Sequence, residues 1–112
     1  MKVGIIRCLH TEQICPGTTD FRLIREHGGS FAEVPADEPI EIIGFLNCGG
    51  CPGKSAVFRA KEMVKRGADT IAFTTCMSKG APIGFACPHY EKIKSAVIKA
   101  VGPDVKILDY TH

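Results

Sequence analysis

The sequence has 112 residues, which is enough for one domain with a single hydrophobic core but not for two. Lys and Arg number 14 against 12 for Asp and Glu, and these charges are spread along the chain without a basic stripe that would bind nucleic acid. The first apolar run is too short for a signal peptide, and no segment approaches the roughly 20 apolar residues of a membrane helix. We therefore expect one domain over residues 1–112, with no nucleic-acid partner and no membrane partner.

Cysteine is the most informative residue type in the composition. The sequence contains six cysteines and four histidines. Because no export signal precedes them, we expect reduced thiols that bind metal or take part in redox catalysis rather than a disulfide framework. Reduced thiols indicate a cytoplasmic protein. For any single cysteine, the alternative is that it packs as a small hydrophobic residue.

Short apolar runs alternate with stretches of helical spacing along the chain. The β-branched run at residues 2–8 predicts a buried strand, and the residues from 9 to 19 contain proline and glycine and predict a loop. Connections rich in glycine or proline are expected at residues 30–38, on the surface, and at residues 77–85. The remaining predicted strands span residues 39–47, 69–75 and 105–110, and the predicted helices span residues 20–27, 55–66 and 87–101.

This regular alternation of strands and helices predicts an α/β fold. Helices are expected on both faces of a small parallel sheet, which gives a single-domain, three-layer α/β/α architecture. We expect about four strands in the order 2-1-3-4, by analogy with flavodoxin-like and Rossmann-like folds. Right-handed crossovers then place the carboxyl ends of all strands along one edge, where open α/β sheets bind ligands.

Five cysteines follow the predicted strands rather than lying inside them. Cys8 follows the first strand, and Cys48 and Cys51 follow the second. Cys76 follows the third strand, and Cys87 opens the helix before the fourth. Cysteines that served only as core filler would be scattered among strand interiors and helix faces. We therefore predict a thiol cluster at the carboxyl edge of the sheet.

Two further candidates lie near the same edge. Cys15 is in the loop after the first strand, and His112 follows the fourth strand. His10 and His89 are expected to be exposed polar residues, and His27 is expected to stabilise the C-terminus of a helix.

The central turn carries the strongest single motif. Cys48-Gly49-Gly50-Cys51 follows an apolar run and precedes a predicted helix. Two sulfurs at this spacing can share one metal ion or close one disulfide, and the glycines let backbone N–H groups point at sulfur. Four thiolates suit tetrahedral zinc, and the same set suits an iron–sulfur cluster. Six cysteines are more than the four ligands of one mononuclear zinc site, so either some are not ligands or more than one ion is held.

Several short motifs occur at the ends of the predicted elements, over nearly the whole chain. They are Arg7-Cys8, Cys15-Pro16-Gly17, Cys48-Gly49-Gly50-Cys51, Cys76, Cys87-Pro88 and Thr111-His112. Together they resemble the CGGC-domain proteins, a prokaryotic family without an established activity. The resemblance implies a metal-binding protein with zinc as the expected cofactor, and it supports His112 as a candidate ligand.

Two nucleotide-binding alternatives are weaker. The central stretch nearly matches a phosphate-binding P-loop, because Gly53-Lys54-Ser55 lies between a strand and a helix. The match fails at the first glycine of the motif, which is Cys48, and Pro52 removes one backbone N–H from the loop. Flavin or dinucleotide binding would rest on the fold analogy alone, since no G-x-G-x-x-G motif follows the first strand.

A thiol–disulfide oxidoreductase is the main alternative to a metal-binding protein. Cys48 and Cys51 have the spacing of a disulfide-exchange pair, and Cys51 lies next to a predicted helix start. Such a pair needs only two cysteines, whereas this edge gathers six, and the additional thiols favour metal binding. The residues do not imply catalysis, so the sequence assigns no catalytic residue.

Overall fold

A computed structural model describes residues 1–112, and its centre is one parallel sheet. The order of the strands is β2-β1-β3-β4, which confirms the predicted order 2-1-3-4. Every neighbouring pair is parallel, so the carboxyl ends of the strands do share one edge. The strands are β1 (Lys2–Arg7), β2 (Glu41–Asn47), β3 (Thr70–Phe73) and β4 (Lys106–Leu108).

Five α-helices and one 3₁₀ turn connect the strands. The helices are α1 (Leu9–Glu12), α2 (Thr18–Glu26), α3 (Lys54–Lys65), α4 (Thr75–Ser78) and α5 (Tyr90–Val101), and the 3₁₀ turn is Gly29–Phe31. The sequence predicts α2, α3 and α5 but not α1 and α4. Each of these two missed helices has four residues and directly follows a strand, so neither is long enough to show a helical period.

The helices cover both faces of the sheet, as predicted for a three-layer α/β/α fold. On one face, Ile6 and Ile71 lie in a core of 14 buried residues that includes Ala60 of α3 and Val97 of α5. On the other face, Val3 and Ile5 lie in a second core of 5 buried residues with Ile24 of α2 and Phe31. The alternation of Val3, Ile5 and Ile6 between the two cores follows from the period of two along a strand.

Glycine in the strands lets α3 lie close to the sheet. A Cβ atom on Gly4 of β1 or on Gly44 of β2 would lie 2.7 Å from Sδ of Met63. Met63 is 3% exposed and belongs to the larger core. Both strands therefore leave room for the same α3 side chain, which fills space that two strand side chains would otherwise occupy.

The connection after α2 and the start of α5 differ from the sequence expectation, and β2, β3 and β4 are each shorter than predicted. The connection at residues 30–38 is not wholly at the surface, because Phe31 is fully buried and Val34 is 7% exposed. Helix α5 begins at Tyr90 rather than at Cys87, since the chain makes a turn in which the Tyr90 N–H donates to the Cys87 carbonyl at 3.1 Å. None of the helices has both the length and the apolar composition needed to cross a membrane.

Candidate functional site

The carboxyl edge of the sheet carries most of the cysteines. Cys8 directly follows β1 and Cys48 directly follows β2. Cys76 lies on α4, which begins two residues after β3 ends. Cys51 lies in the turn before α3, and Cys87 lies in the turn before α5. All six cysteines of the chain are free thiols.

Four of these thiols line one small cavity, which we call the thiol cavity. Its volume is about 80 Å³, and its cysteines are Cys8, Cys51, Cys76 and Cys87. His10 also lines it, and the rest of the wall is apolar, from Ile83, Phe85 and Pro88. The four thiols come from three different connections between strands, because Cys76 and Cys87 both lie between β3 and β4. The cavity therefore exists only because the sheet brings its strand ends together.

The thiols differ in their exposure to solvent. Cys8, Cys48 and Cys76 are buried, with 8%, 6% and 5% of their surface exposed. Cys87 is partly buried, and Cys51 is exposed. Cys51 is therefore the thiol of this group that a solvent-borne metal or disulfide reaches first.

The environment of Cys87 shows that the thiols influence one another. Burial raises the pKa of the Cys87 thiol above its ordinary value, although a hydrogen bond with the His89 backbone lowers it. Negative charge on Cys51, Cys8 or Cys48 raises this pKa further, so Cys48 belongs to the same electrostatic cluster although it does not line the cavity. Thiolates at this edge therefore disfavour one another, and a bound cation would reverse the effect.

The turn that presents Cys48 and Cys51 is held by hydrogen bonds at its first residue. The Asn47 side chain accepts a hydrogen bond from the Gly49 N–H at 2.8 Å. Arg59 of α3 donates to the Asn47 carbonyl at 2.8 Å and to its side-chain oxygen at 2.6 Å. Gly49 and Gly50 both have positive φ, 83° and 97°, which L side chains rarely adopt. The glycines of the motif are thus required by the backbone of the turn.

A second, smaller cavity lies on the other side of Cys76, and we call it the polar cavity. Its volume is about 20 Å³, and Cys15, Cys76 and His112 line it together with Arg7, Thr11 and Asp20. Of the seven predicted site residues, four line the thiol cavity, Cys15 and His112 line the polar cavity instead, and Cys48 lines neither. Only Cys76 borders both cavities.

The largest cavity of the protein contains no cysteine. It is an open groove of about 530 Å³ between the N-terminal ends of α3 and α5, and Lys54 and His89 are among its lining residues. The near-P-loop residues Gly53 and Lys54 thus face this groove rather than the thiol cavity.

The residue types that line the thiol cavity suit a soft metal ion, but their side chains are not arranged to coordinate one. Thiolate and imidazole are the ligands that zinc and other soft or borderline ions prefer. No group of three or more Cys, His, Asp or Glu side chains is arranged to hold a metal ion in this structure. Metal binding here therefore requires the thiol side chains to rotate toward a common point.

Two residues near the site lie where the sequence did not indicate them. His10 is exposed, as expected, but it also lines the thiol cavity. Its spacing of two residues from Cys8 is the sequence signal that could have indicated this position. Asp20 is 5% exposed and lines the polar cavity, although an acidic residue near a helix start gives no sequence signal of burial.

Comparison with known proteins identifies relatives but no activity. The chain is 35% identical over 82 residues to the uncharacterized protein MJ0582 of Methanocaldococcus jannaschii. This matched segment covers 68% of this chain and 62% of that protein. It is 36% identical over 55 residues to the uncharacterized protein MJ0766 of the same organism. This matched segment covers 48% of this chain and 79% of that protein. The chain thus spans less than two thirds of the length of the first relative.

No solved structure shows significant similarity to the chain. The profile of the CGGC domain matches residues 2–112, which is the whole chain apart from its first residue. The motifs at the strand ends and the central Cys48-Gly49-Gly50-Cys51 turn agree with this match. The chain belongs to the CGGC-domain family.

Proposed function

We propose that this protein binds a soft metal ion, with zinc as the first candidate, through the cysteines of the thiol cavity. The observation that carries the proposal is that Cys8, Cys51, Cys76 and Cys87 line one cavity of about 80 Å³ although they come from three different connections between strands. Thiols that served only as small apolar residues would have no reason to share a cavity.

The residues that would hold the ion are the four lining cysteines, with His10 as an imidazole and Cys48 as a nearby thiol. A soft metal would supply positive charge that stabilises several thiolates in one small volume, as in structural zinc sites. Cys51 is exposed and would meet the ion first, whereas Cys8 and Cys76 are buried at the inner end. An iron–sulfur cluster is the alternative cofactor for the same thiols.

A second candidate function is thiol–disulfide exchange by Cys48 and Cys51. It is favoured by the contrast between an exposed Cys51 and a Cys48 that is 6% exposed. In such a pair, the exposed thiolate attacks the substrate disulfide, one substrate thiol leaves, and the buried thiol then attacks the mixed disulfide to release the second. The pair would finish as a disulfide and the substrate as two thiols. This reading leaves the other thiols of the cavity without a role.

Anaerobic purification followed by elemental analysis and a visible spectrum distinguishes these functions. Zinc without visible absorption is the result expected from the proposal, and iron with sulfide and broad absorption would indicate a cluster. Metal-free protein with a reversible disulfide between Cys48 and Cys51 would overturn metal binding in favour of exchange chemistry. A cytoplasmic location is part of the same proposal, because reducing compartments keep thiols free.

A further inference from the structure

Three buried polar atoms without a hydrogen-bond partner meet at the polar cavity. They are Nε of Arg7, Oγ1 of Thr11 and Oδ1 of Asp20, and all three residues line the cavity. Arg7 Nε also lies 3.5 Å from Glu12 Oε2, an ion pair that is too long for a hydrogen bond. The side chain of Asp20 is 7% exposed, and Thr11 is 2% exposed. Buried polar atoms are normally hydrogen-bonded, and leaving one unpaired destabilises a protein. Three such atoms around one small cavity therefore indicate a shared ligand.

His112 lies at the same cavity but does not pair directly with Asp20. The distance from His112 Nε2 to Asp20 Oδ1 is 3.8 Å, which is too long for a hydrogen bond. For two polar groups more than about 3.5 Å apart, a water bound to both is the alternative to a direct contact. Since a buried water needs about 10–15 Å³, a cavity of about 20 Å³ has room for one.

The chemistry of the wall also fits water better than an ion. Asp20 Oδ1 only accepts hydrogen bonds, Arg7 Nε only donates, and Thr11 Oγ1 does both. The Arg7 guanidinium would repel a cation, and the Asp20 carboxylate would repel an anion. A neutral molecule that donates two hydrogen bonds and accepts two satisfies all of these groups.

We infer that the polar cavity binds one water molecule, which bridges α1, α2 and the end of β1 to His112 and so holds residues 111–112 against Cys76. This site is distinct from the proposed metal site and does not depend on it. The water would donate to Asp20 and Thr11 and accept from Arg7 or His112.

Apart from the proposed water, residues 111–112 are held by hydrogen bonds to the side chain of Thr75. The Thr75 hydroxyl accepts from the N–H groups of Thr111 at 3.2 Å and His112 at 2.9 Å, and it donates to the His112 carbonyl at 3.0 Å. Thr111 is fully buried, and its carbonyl accepts from the Ser30 N–H at 3.3 Å. The water supplies the remaining link, between the His112 ring and Asp20. Without this link the segment is held by Thr75 and Ser30 alone, so it opens more often and exposes Cys76, which is otherwise 5% exposed.

The direct test is a crystal structure at a resolution that shows ordered waters. We expect one water within hydrogen-bond distance of Asp20 Oδ1 and Thr11 Oγ1. An empty cavity, a direct hydrogen bond between Asp20 and His112, or a metal ion identified there by anomalous scattering would each overturn the inference.

A second test measures how fast iodoacetamide alkylates Cys76, with mass spectrometry of its peptide and with exposed Cys51 as the internal reference. Thr11→Val keeps the side-chain shape but removes the hydroxyl, and we expect the Cys76 rate to rise about tenfold while the Cys51 rate stays constant. Thr18→Val, at an exposed threonine at the start of α2, is the matched control and should change neither rate.

An unchanged Cys76 rate in Thr11→Val would contradict the role of the water in holding residues 111–112. Should that variant fail to fold, Asp20→Leu, which has the same branched shape but no hydrogen-bonding group, replaces it under the same criterion. Both rates are measured on protein freed of metal with a chelator, so this result is independent of whether the thiol cavity binds metal.

Discussion

Thr74 Oγ1 lies 2.9 Å from Cys76 Sγ, so the one thiol that borders both cavities is hydrogen-bonded to the residue that precedes its helix. Both side chains are buried, with 3% of Thr74 and 5% of Cys76 exposed. The contact orients the sulfur between the thiol cavity and the polar cavity. It also means that Cys76 has a defined position without a metal ion.

The first prediction concerns this contact. Thr74→Val preserves the shape of the side chain but leaves the Cys76 thiol without its oxygen partner, and we expect the free energy of unfolding to fall by about 1 kcal/mol. Urea denaturation monitored by circular dichroism measures this free energy of unfolding. Thr18→Val, at an exposed hydroxyl, should change stability by less than about 0.5 kcal/mol. Equal effects of the two substitutions would mean that the contact contributes nothing.

Single Cys→Ser variants test the metal site. If Cys8, Cys51, Cys76 and Cys87 hold one ion, each substitution removes a thiolate and should lower bound metal per chain about tenfold or more at a limiting metal concentration. Elemental analysis of folded variants measures this. Cys15→Ser is the control, because Cys15 lines the polar cavity and should leave metal content unchanged. Loss of metal in Cys48 and Cys51 variants only would rule out the site proposed here.

Removal of metal should not unfold the protein. The two cores contain 14 and 5 buried residues and span both faces of the sheet, so the fold has its own hydrophobic stabilisation. After dialysis against a strong chelator we expect the far-ultraviolet circular dichroism to stay essentially unchanged, unlike that of a zinc finger. Disappearance of the helical signal would show that metal binding and folding are one process.

Gly53 at the start of α3 is predicted to be intolerant of substitution. Its φ is 89°, and a Cβ atom there would collide with Cδ1 of Ile93 on α5. Gly53→Ala should therefore lower the free energy of unfolding by about 1–2 kcal/mol, because alanine disfavours the left-handed backbone. The displacement of Ile93 should lower it further. Gly67→Ala is the matched control, because its φ is 116° but no atom lies within 4 Å of a new Cβ. Equal losses of stability would show that the helix contact adds nothing.

The hydrogen bonds of Asp109 predict an acid-sensitive contribution to stability. Burial raises the pKa of Asp109, but hydrogen bonds from Lys94 and Tyr90, at 2.7 and 2.5 Å, outweigh burial and lower the pKa below its usual value. The charged form is thus favoured in the folded state. The resulting stability is fully present above the unfolded pKa of about 4 and is lost as the pH falls through the folded value.

Asp109→Asn removes this titration. Urea denaturation between about pH 2 and pH 7 should give a flatter stability profile for the variant at the acid end, with the difference from wild type largest near neutral pH. Because the Asp109 side chain is 48% exposed, solvent screening keeps the effect small, of order 1 kcal/mol or less. Parallel profiles of the two proteins across the whole range would contradict the prediction.

The pattern of apolar runs was enough to determine the sheet and its edge. Within β1, residues 3–6 form the uncharged apolar run of a central strand, and the lengths of chain between strands require crossover connections. Parallel strands with right-handed crossovers place every strand end on one edge, so Cys8, Cys48 and Cys76 had to come close whatever the details of the loops. Helices α3 and α5, each of 12 residues, were long enough to show their period.

Only the tertiary structure decided which of the seven candidate residues line the thiol cavity, which line the polar cavity, and that Cys48 lines neither. Cys15 and His112 lie on connections whose paths depend on contacts distant in sequence, such as the hydrogen bonds from residues 111 and 112 to Thr75. The burial of Asp20 depends on the same packing and has no local signature. Helix α4, with four residues, is too short for a period, yet it turns Cys76 so that one thiol borders both cavities. Periodicity specifies which face of an element is buried, whereas the direction of a loop side chain is set by three-dimensional contacts.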